Sequence, residues 1–203
     1  MHNEIYDKNY FENGIKTGKS GYENYRWMPD RIYSEIRAVV NLLEIKPRDT
    51  VLDFGCAKGY LVKGFRHYGI SAFGVDTSEY ALRTADKEIK GFLMCEIPDV
   101  KYNFIISRNT FEHIEEKELE KLLNKFYKMT DIIFFTVPLA KKDGNYVMQE
   151  LDITHKIKWT DEQWINFCEK CNWSVEAYYQ IKGLHDRWHN YPNAMGFYIL
   201  RKK

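Results

Sequence analysis

Val51-Leu52-Asp53-Phe54-Gly55-Cys56-Ala57-Lys58-Gly59-Tyr60-Leu61-Val62 decides the fold of this chain. A short apolar segment breaks on an acid and two glycines, then resumes with apolar residues at helical spacing, Leu61, Val62 and Phe65. The pattern is a strand, a tight turn and a helix start. Glycines at 55 and 59 suit a backbone that turns sharply and lies against a ligand, because a Cβ there would clash or hold the ligand off. A dinucleotide fingerprint would need glycine at 55, 57 and 60, and the chain has Gly55, Ala57 and Tyr60. Asp53 also counts against a pyrophosphate, since a carboxylate at the strand end repels an anion. A cationic ligand without phosphate escapes that penalty.

Ser71-Ala72-Phe73-Gly74-Val75-Asp76 reads as a second strand ending in an acid, seventeen residues after Gly59. A carboxylate there accepts hydrogen bonds from both hydroxyls of a ribose. Asp53-x-Gly55-x-x-x-Gly59 together with Asp76 resembles the cofactor signature of class I S-adenosylmethionine (SAM) dependent methyltransferases, with a departure at Ala57, where that family usually has glycine. The resemblance implies SAM as cofactor, held by Asp53, Gly55, Cys56, Gly59, Asp76 and Thr77.

Size and charge fit this reading. A chain of 203 residues makes one large α/β domain with a substantial core. Thirty basic against 29 acidic residues leave a net charge of +1, which gives no electrostatic reason to expect duplex nucleic acid or an anionic membrane as partner. No apolar run approaches the roughly 20 residues of a membrane helix, and the polar start lacks the core of a signal peptide, so the expectation is a cytoplasmic protein. Of the four cysteines, Cys168 and Cys171 form one Cys-x-x-Cys pair inside a predicted helix with no second pair to complete a zinc site.

Residues 1–29 carry Tyr6, Tyr10, Phe11, Tyr22, Tyr25 and Trp27 among polar residues and glycines. They read as an arm, either merely anchored by its aromatics or acting as a lid that closes over cofactor and substrate, ahead of a catalytic domain over 30–203. A helix follows over 30–45, and Arg31 in its first turn is poorly placed for the helix dipole. Met28-Pro29-Asp30-Arg31 resembles the Pro-x-Arg of ubiquinone-biosynthesis methyltransferases, which implies a grip of Arg31 on the cofactor's methionine carboxylate; a solvated arginine reads the same way. Beyond the glycine turn, helices over 58–67, 78–89, 115–129 and 160–171 alternate with strands over 71–76, 92–95, 102–107 and 131–137, and two more strands, 173–179 and 195–201, close the chain. Unbroken apolar runs such as Ile132-Ile133-Phe134-Phe135 are those of strands covered on both sides. The fold class expected is α/β: a Rossmann-like, seven-stranded, mostly parallel sheet with helices on both faces and a C-terminal antiparallel strand pair.

In such a fold ligands sit at the carboxyl ends of strands. By family resemblance the third strand's end meets the adenine through Glu96, with Cys95 beside it, and Arg108, just past the fourth strand, is a further cofactor-binding candidate. Glu112-His113-Ile114 resembles the Glu-His-Ile of small-molecule methyltransferases, which implies His113 as the base that takes a hydroxyl proton; the alternative is a helix cap. Asp152 and His155 precede a helix, either as an oriented base, or with His155 joining Glu112 and His113 around a metal, or as loop anchors. The link 181–193, with His185, Asp186, Arg187, Trp188, His189 and Tyr191, reads as a substrate wall or a homodimer contact.

The leading expectation is methyl transfer from SAM to a hydroxyl, ahead of an amine, of a small polar acceptor such as a sugar or metabolite, with no metal assigned. DNA-base chemistries are set aside, because no Asn-Pro-Pro-Tyr follows the fourth strand and no Pro-Cys occurs. One alternative is a metal-assisted RNA ribose 2'-O-methyltransferase; that family shows Glu-x-x-Glu-His with a further histidine, against Asn109-x-x-Glu112-His113 and His155 here. Another is a SAM-binding protein without turnover.

Overall fold

The computed structural model describes residues 5–184, 191 and 193–203, so most of the link around His185 to His189 lies outside the described residues. Seven strands run in the sheet order β3-β2-β1-β4-β5-β7-β6: β1 (Thr50–Phe54), β2 (Ser71–Val75), β3 (Leu93–Met94), β4 (Phe104–Arg108), β5 (Ile132–Pro138), β6 (Trp173–Tyr178) and β7 (Met195–Lys202). The chain divides into two compact units, residues 1–98 with 150–154, and residues 99–149 with 155–203.

In the first unit β1, β2 and β3 are parallel, with Asp53 opposite Gly74 and Val75 opposite Met94. Helix α3 (Pro29–Leu43) starts on a proline whose missing N–H is no loss at that position, and it buries Ile32, Ile36, Val39 and Leu43 along one stripe. It packs on α4 (Tyr60–His67), and α4 packs on β2. Burial of Val51, Leu52, Val62, Phe65 and Ala72 makes the core, each large side chain contributing about 1.5–3 kcal/mol. Two short helices, α1 (Lys8–Glu12) and α2 (Gly14–Thr17), form where the sequence shows no clean period. The helix expected over 78–89 stops early, as α5 (Glu79–Arg83). The Thr84 hydroxyl and N–H both turn back to the Tyr80 carbonyl, and the Asp86 carboxylate is drawn to Lys63 at 2.7 Å.

In the second unit β4 runs parallel to β5, the C-terminal pair β6 and β7 is antiparallel as expected, and β7 also runs antiparallel to β5. Helix α6 (Glu116–Met129) buries Leu119, Leu123 and Phe126, and α7 (Asp161–Lys170) begins with a reciprocal cap between Thr160 and Gln163. Phe134, Phe135, Trp164, Trp173 and Phe197 are fully buried. Among the described residues no helix is long and apolar enough to cross a membrane.

Candidate active site

The candidate cofactor cradle is built in the first unit from the turn after β1 and the end of β2. Gly55 and Cys56 both donate their backbone N–H to the Val75 carbonyl, at 2.8 and 3.0 Å, hooking the turn onto β2. Gly55 (φ 80°) and Gly59 (φ 72°) are left-handed, and Ala57 between them is left-handed too, at φ 49°. That conformation explains why the related family favours glycine at this position: an L side chain there costs roughly 1–2 kcal/mol. A Cβ on Gly59 would come within 2.9 Å of both Ile89 and Leu93, so this turn lies flat on the β3 edge.

Asp76 closes the cradle. One carboxylate oxygen accepts the Ala57 N–H at 2.7 Å and the other accepts the Ser78 N–H at 2.7 Å. With the Thr77 N–H also turned to this carboxylate, three of its four lone pairs are met by backbone donors and one is left for a donor from a ligand. Burial pushes the Asp76 carboxyl above its ordinary value, against the backbone N–H groups of Ser78, Ala57 and Thr77, which pull it down. Thr77 itself is exposed, with its N–H toward that carboxylate. Asp53 is buried at the end of β1. Cys56 is buried over Gly74, where a Cβ would meet its sulfur at 2.7 Å; burial, with Asp53 and Asp76 nearby, pushes the thiol well up, so it is filler rather than nucleophile. Cys95 and Glu96 lie exposed just past β3. Arg31 donates from Nε to the buried Glu35, at 2.9 Å.

The arm lies on this cradle. Tyr10 and Phe11 form a buried cluster with Ala81, and Tyr6, Tyr22, Tyr25, Tyr80 and Ala57 pack against it. Lys58, 8% exposed, reaches out of the glycine turn to the Glu12 carboxylate at 2.5 Å and the Tyr25 carbonyl at 3.0 Å, while the Tyr80 hydroxyl donates to the same Glu12 oxygen at 3.0 Å. Desolvation acts to raise the Glu12 carboxyl, but the bonds from Lys58 and Tyr80 outweigh it and hold it below its ordinary value. The Tyr10 hydroxyl donates to Asp152, whose other oxygen accepts from the Thr154 N–H and hydroxyl. Burial, with Tyr22 and Asp152 beside it, raises the Tyr10 phenol far above its usual range, so it stays a donor. Both oxygens of Asp152 are thus engaged within the first unit, while His155 belongs to the second.

In the second unit, β4 ends at Arg108 and the chain turns through Asn109, left-handed at φ 50°, with its side-chain oxygen accepting from the Thr136 hydroxyl. A 3-10 turn over Phe111–His113 follows. It buries Glu112 completely and brings the His113 ring to 4.6 Å from that of His155. The backbone N–H groups of Lys156 and Ile157 both bond the Glu112 carbonyl, at 2.7 and 3.0 Å, so the two segments are clamped together. Tyr146, from the loop after β5, places its hydroxyl 2.8 Å from His155 Nδ1. Glu112, His113 and His155 therefore form one constellation. Sequence reading missed Lys58 and Tyr146, and only the lysine, fixed inside the glycine turn, left any signal.

A family model described as a methyltransferase domain matches residues 26–191. The chain belongs to this methyltransferase family. Phosphoethanolamine N-methyltransferase 3 of Arabidopsis thaliana is 32% identical over 104 residues, 44% of this chain but 20% of that protein. Among solved structures, a SAM-dependent methyltransferase from Archaeoglobus fulgidus is 18% identical, with TM-score 0.64 over 85% of this chain and 94% of that one. Magnesium protoporphyrin IX methyltransferase from Synechocystis PCC 6803, solved with bound SAM, is 14% identical, with TM-score 0.61 over 98% and 88%. The chain thus carries a methyltransferase domain, and its fold is the Rossmann-like one of these solved methyltransferases.

Proposed function

We propose that this methyltransferase moves the methyl group of SAM to a hydroxyl of a small polar acceptor such as a sugar or metabolite. The observation that carries the reading is the Glu112, His113 and His155 constellation, with ligand atoms all within 4.8 Å. A hydroxyl must lose its proton as it attacks the sulfonium methyl, and two imidazoles beside a carboxylate supply the means. A neutral amine attacks unaided. Alignment of nucleophile, carbon and sulfur supplies most of the remaining acceleration.

On the donor side, Asp76 takes a ribose hydroxyl, the Gly55 to Gly59 turn lies along the methionyl end, and Asp53 faces the cationic end. The Nη edge of Arg31 takes the amino-acid carboxylate, Cys95 and Glu96 border the adenine, and Thr77 completes the rim. The arm acts as a lid, supported by its packing on Ala57 and the Lys58 latch in the cradle itself.

A second reading, N-methylation, is favoured by the stretch shared with the phosphoethanolamine N-methyltransferase. Incubation with methyl-labelled SAM and matched panels of sugars, alcohols, amines and short RNAs separates them. Label on hydroxyl oxygen, lost in His113→Ala, supports the proposal. Label on nitrogen only, or transfer indifferent to His113→Ala, rules it out, and label on RNA ribose points to the 2'-O alternative.

A further inference from the structure

Oε1 of Glu112 and Nε2 of His155 stand 4.0 Å apart. That is too long for a hydrogen bond. Two coordination bonds of about 2.0–2.2 Å at a tetrahedral angle set their donor atoms roughly 3.3–3.6 Å apart, so a closure of about half an ångström seats an ion against both. His113 brings its own nitrogen into the same space, all three ligand atoms falling within 4.8 Å of one another. The far side of the His155 ring is held by the Tyr146 hydroxyl on Nδ1, at 2.8 Å, so Nε2 is the nitrogen turned to Glu112. An outer hydrogen bond of that kind is what fixes ring and tautomer in a metal-bound imidazole. The clamp of Lys156 and Ile157 on the Glu112 carbonyl keeps the two ligand-bearing segments in register, which lowers the cost of assembling the set.

We propose that Glu112, His113 and His155 bind a divalent first-row transition cation, with Tyr146 as the outer residue that orients His155. Two imidazoles and one carboxylate suit zinc, manganese, iron(II) or cobalt, whereas calcium and magnesium prefer all-oxygen shells. Three protein ligands leave positions open to water or to an acceptor oxygen. The cation then stands in for an imidazole as the group that acidifies the acceptor hydroxyl. That use rests on the hydroxyl-transfer reading, but binding of the cation does not.

The test is equilibrium dialysis of the full, chelator-stripped chain against Zn2+, Mn2+ and Co2+ in turn, with elemental analysis and the visible spectrum of the cobalt form. The expected result is about one equivalent bound, with cobalt bands reporting nitrogen and oxygen ligands. Binding is lost in Glu112→Gln and in His155→Ala, and weakened about 10- to 100-fold in Tyr146→Phe. Should the buried Glu112→Gln variant fail to fold, His155→Gln and Tyr146→Phe carry the same reading, with circular dichroism checking the fold. No stoichiometric binding of any of the three ions, or affinity unchanged by these substitutions, overturns the proposal. Binding without transfer to any hydroxyl would defeat the function reading and leave the site standing.

Discussion

Replacing Lys58 by methionine tests whether the arm is a separable lid latched to the cofactor turn. The lysine is nearly buried and its ammonium makes two contacts with the arm, to Glu12 and to the Tyr25 carbonyl. Bonds to a charged group contribute about 1.5–3 kcal/mol each, and removing the ammonium also recovers its desolvation cost, so the net loss is about 2 kcal/mol. Methionine keeps the stem that fills the space between Tyr25 and Tyr80. Two kcal/mol is roughly a 30-fold rise in the opening constant of the arm. Amide hydrogen exchange reads it directly. Residues 10–25, whose N–H groups bond within the arm, should exchange about 30-fold faster, while β1 and β2 keep their protection. SAM should also dissociate faster from the variant. Unchanged exchange over 10–25, or an equal loss through β1 and β2, refutes the latch.

The left-handed turn predicts an order of stability at position 57. Ala57→Gly should leave thermal stability equal or slightly raised, and Ala57→Val should cost about 1–3 kcal/mol, since a β-branched side chain tolerates positive φ poorly; a valine variant melting with the wild type would contradict this. Acid should release the arm. The Glu12 carboxyl is depressed in the folded state, so its contribution is present above the unfolded value and lost as pH falls through the folded one. Exchange over the arm should therefore rise below about pH 4.5, the ordinary carboxyl value, and Glu12→Gln should flatten that limb. Asp76 is shifted the other way, so SAM affinity should fall on acidification at a pH above that at which an ordinary aspartate protonates, and an affinity flat across that range would argue against ribose binding by its carboxylate.

Much of this was legible in the sequence because period and punctuation agree with the fold. The run from Val51 to Val62 gives strand, turn and helix, and the unbroken apolar runs at Ile105 and Ile133 became parallel strands. Asp76 stands where its spacing implied, at the end of β2 and bonded to the turn. The short α5 was not legible, because a side-chain bond from Thr84 and an ion pair with Lys63 end the helix where propensity would continue it. Nor was the arm's structure, since α1 and α2 depend on contacts such as Tyr10 with Asp152, 142 residues apart. Tyr146 lay in a polar loop with no period, and only the fold brings it to His155.

The Asp76 carboxylate braces the glycine turn, and the proposed function has it hold the sugar of the donor. Calorimetric titration of SAM into the wild-type protein and Asp76→Ala measures this most directly. Tight binding is expected for the first and at least a tenfold weaker constant for the second, corresponding to about 1.4 kcal/mol or more from lost charge-assisted bonds. Equal affinity in a folded Asp76→Ala variant would contradict it.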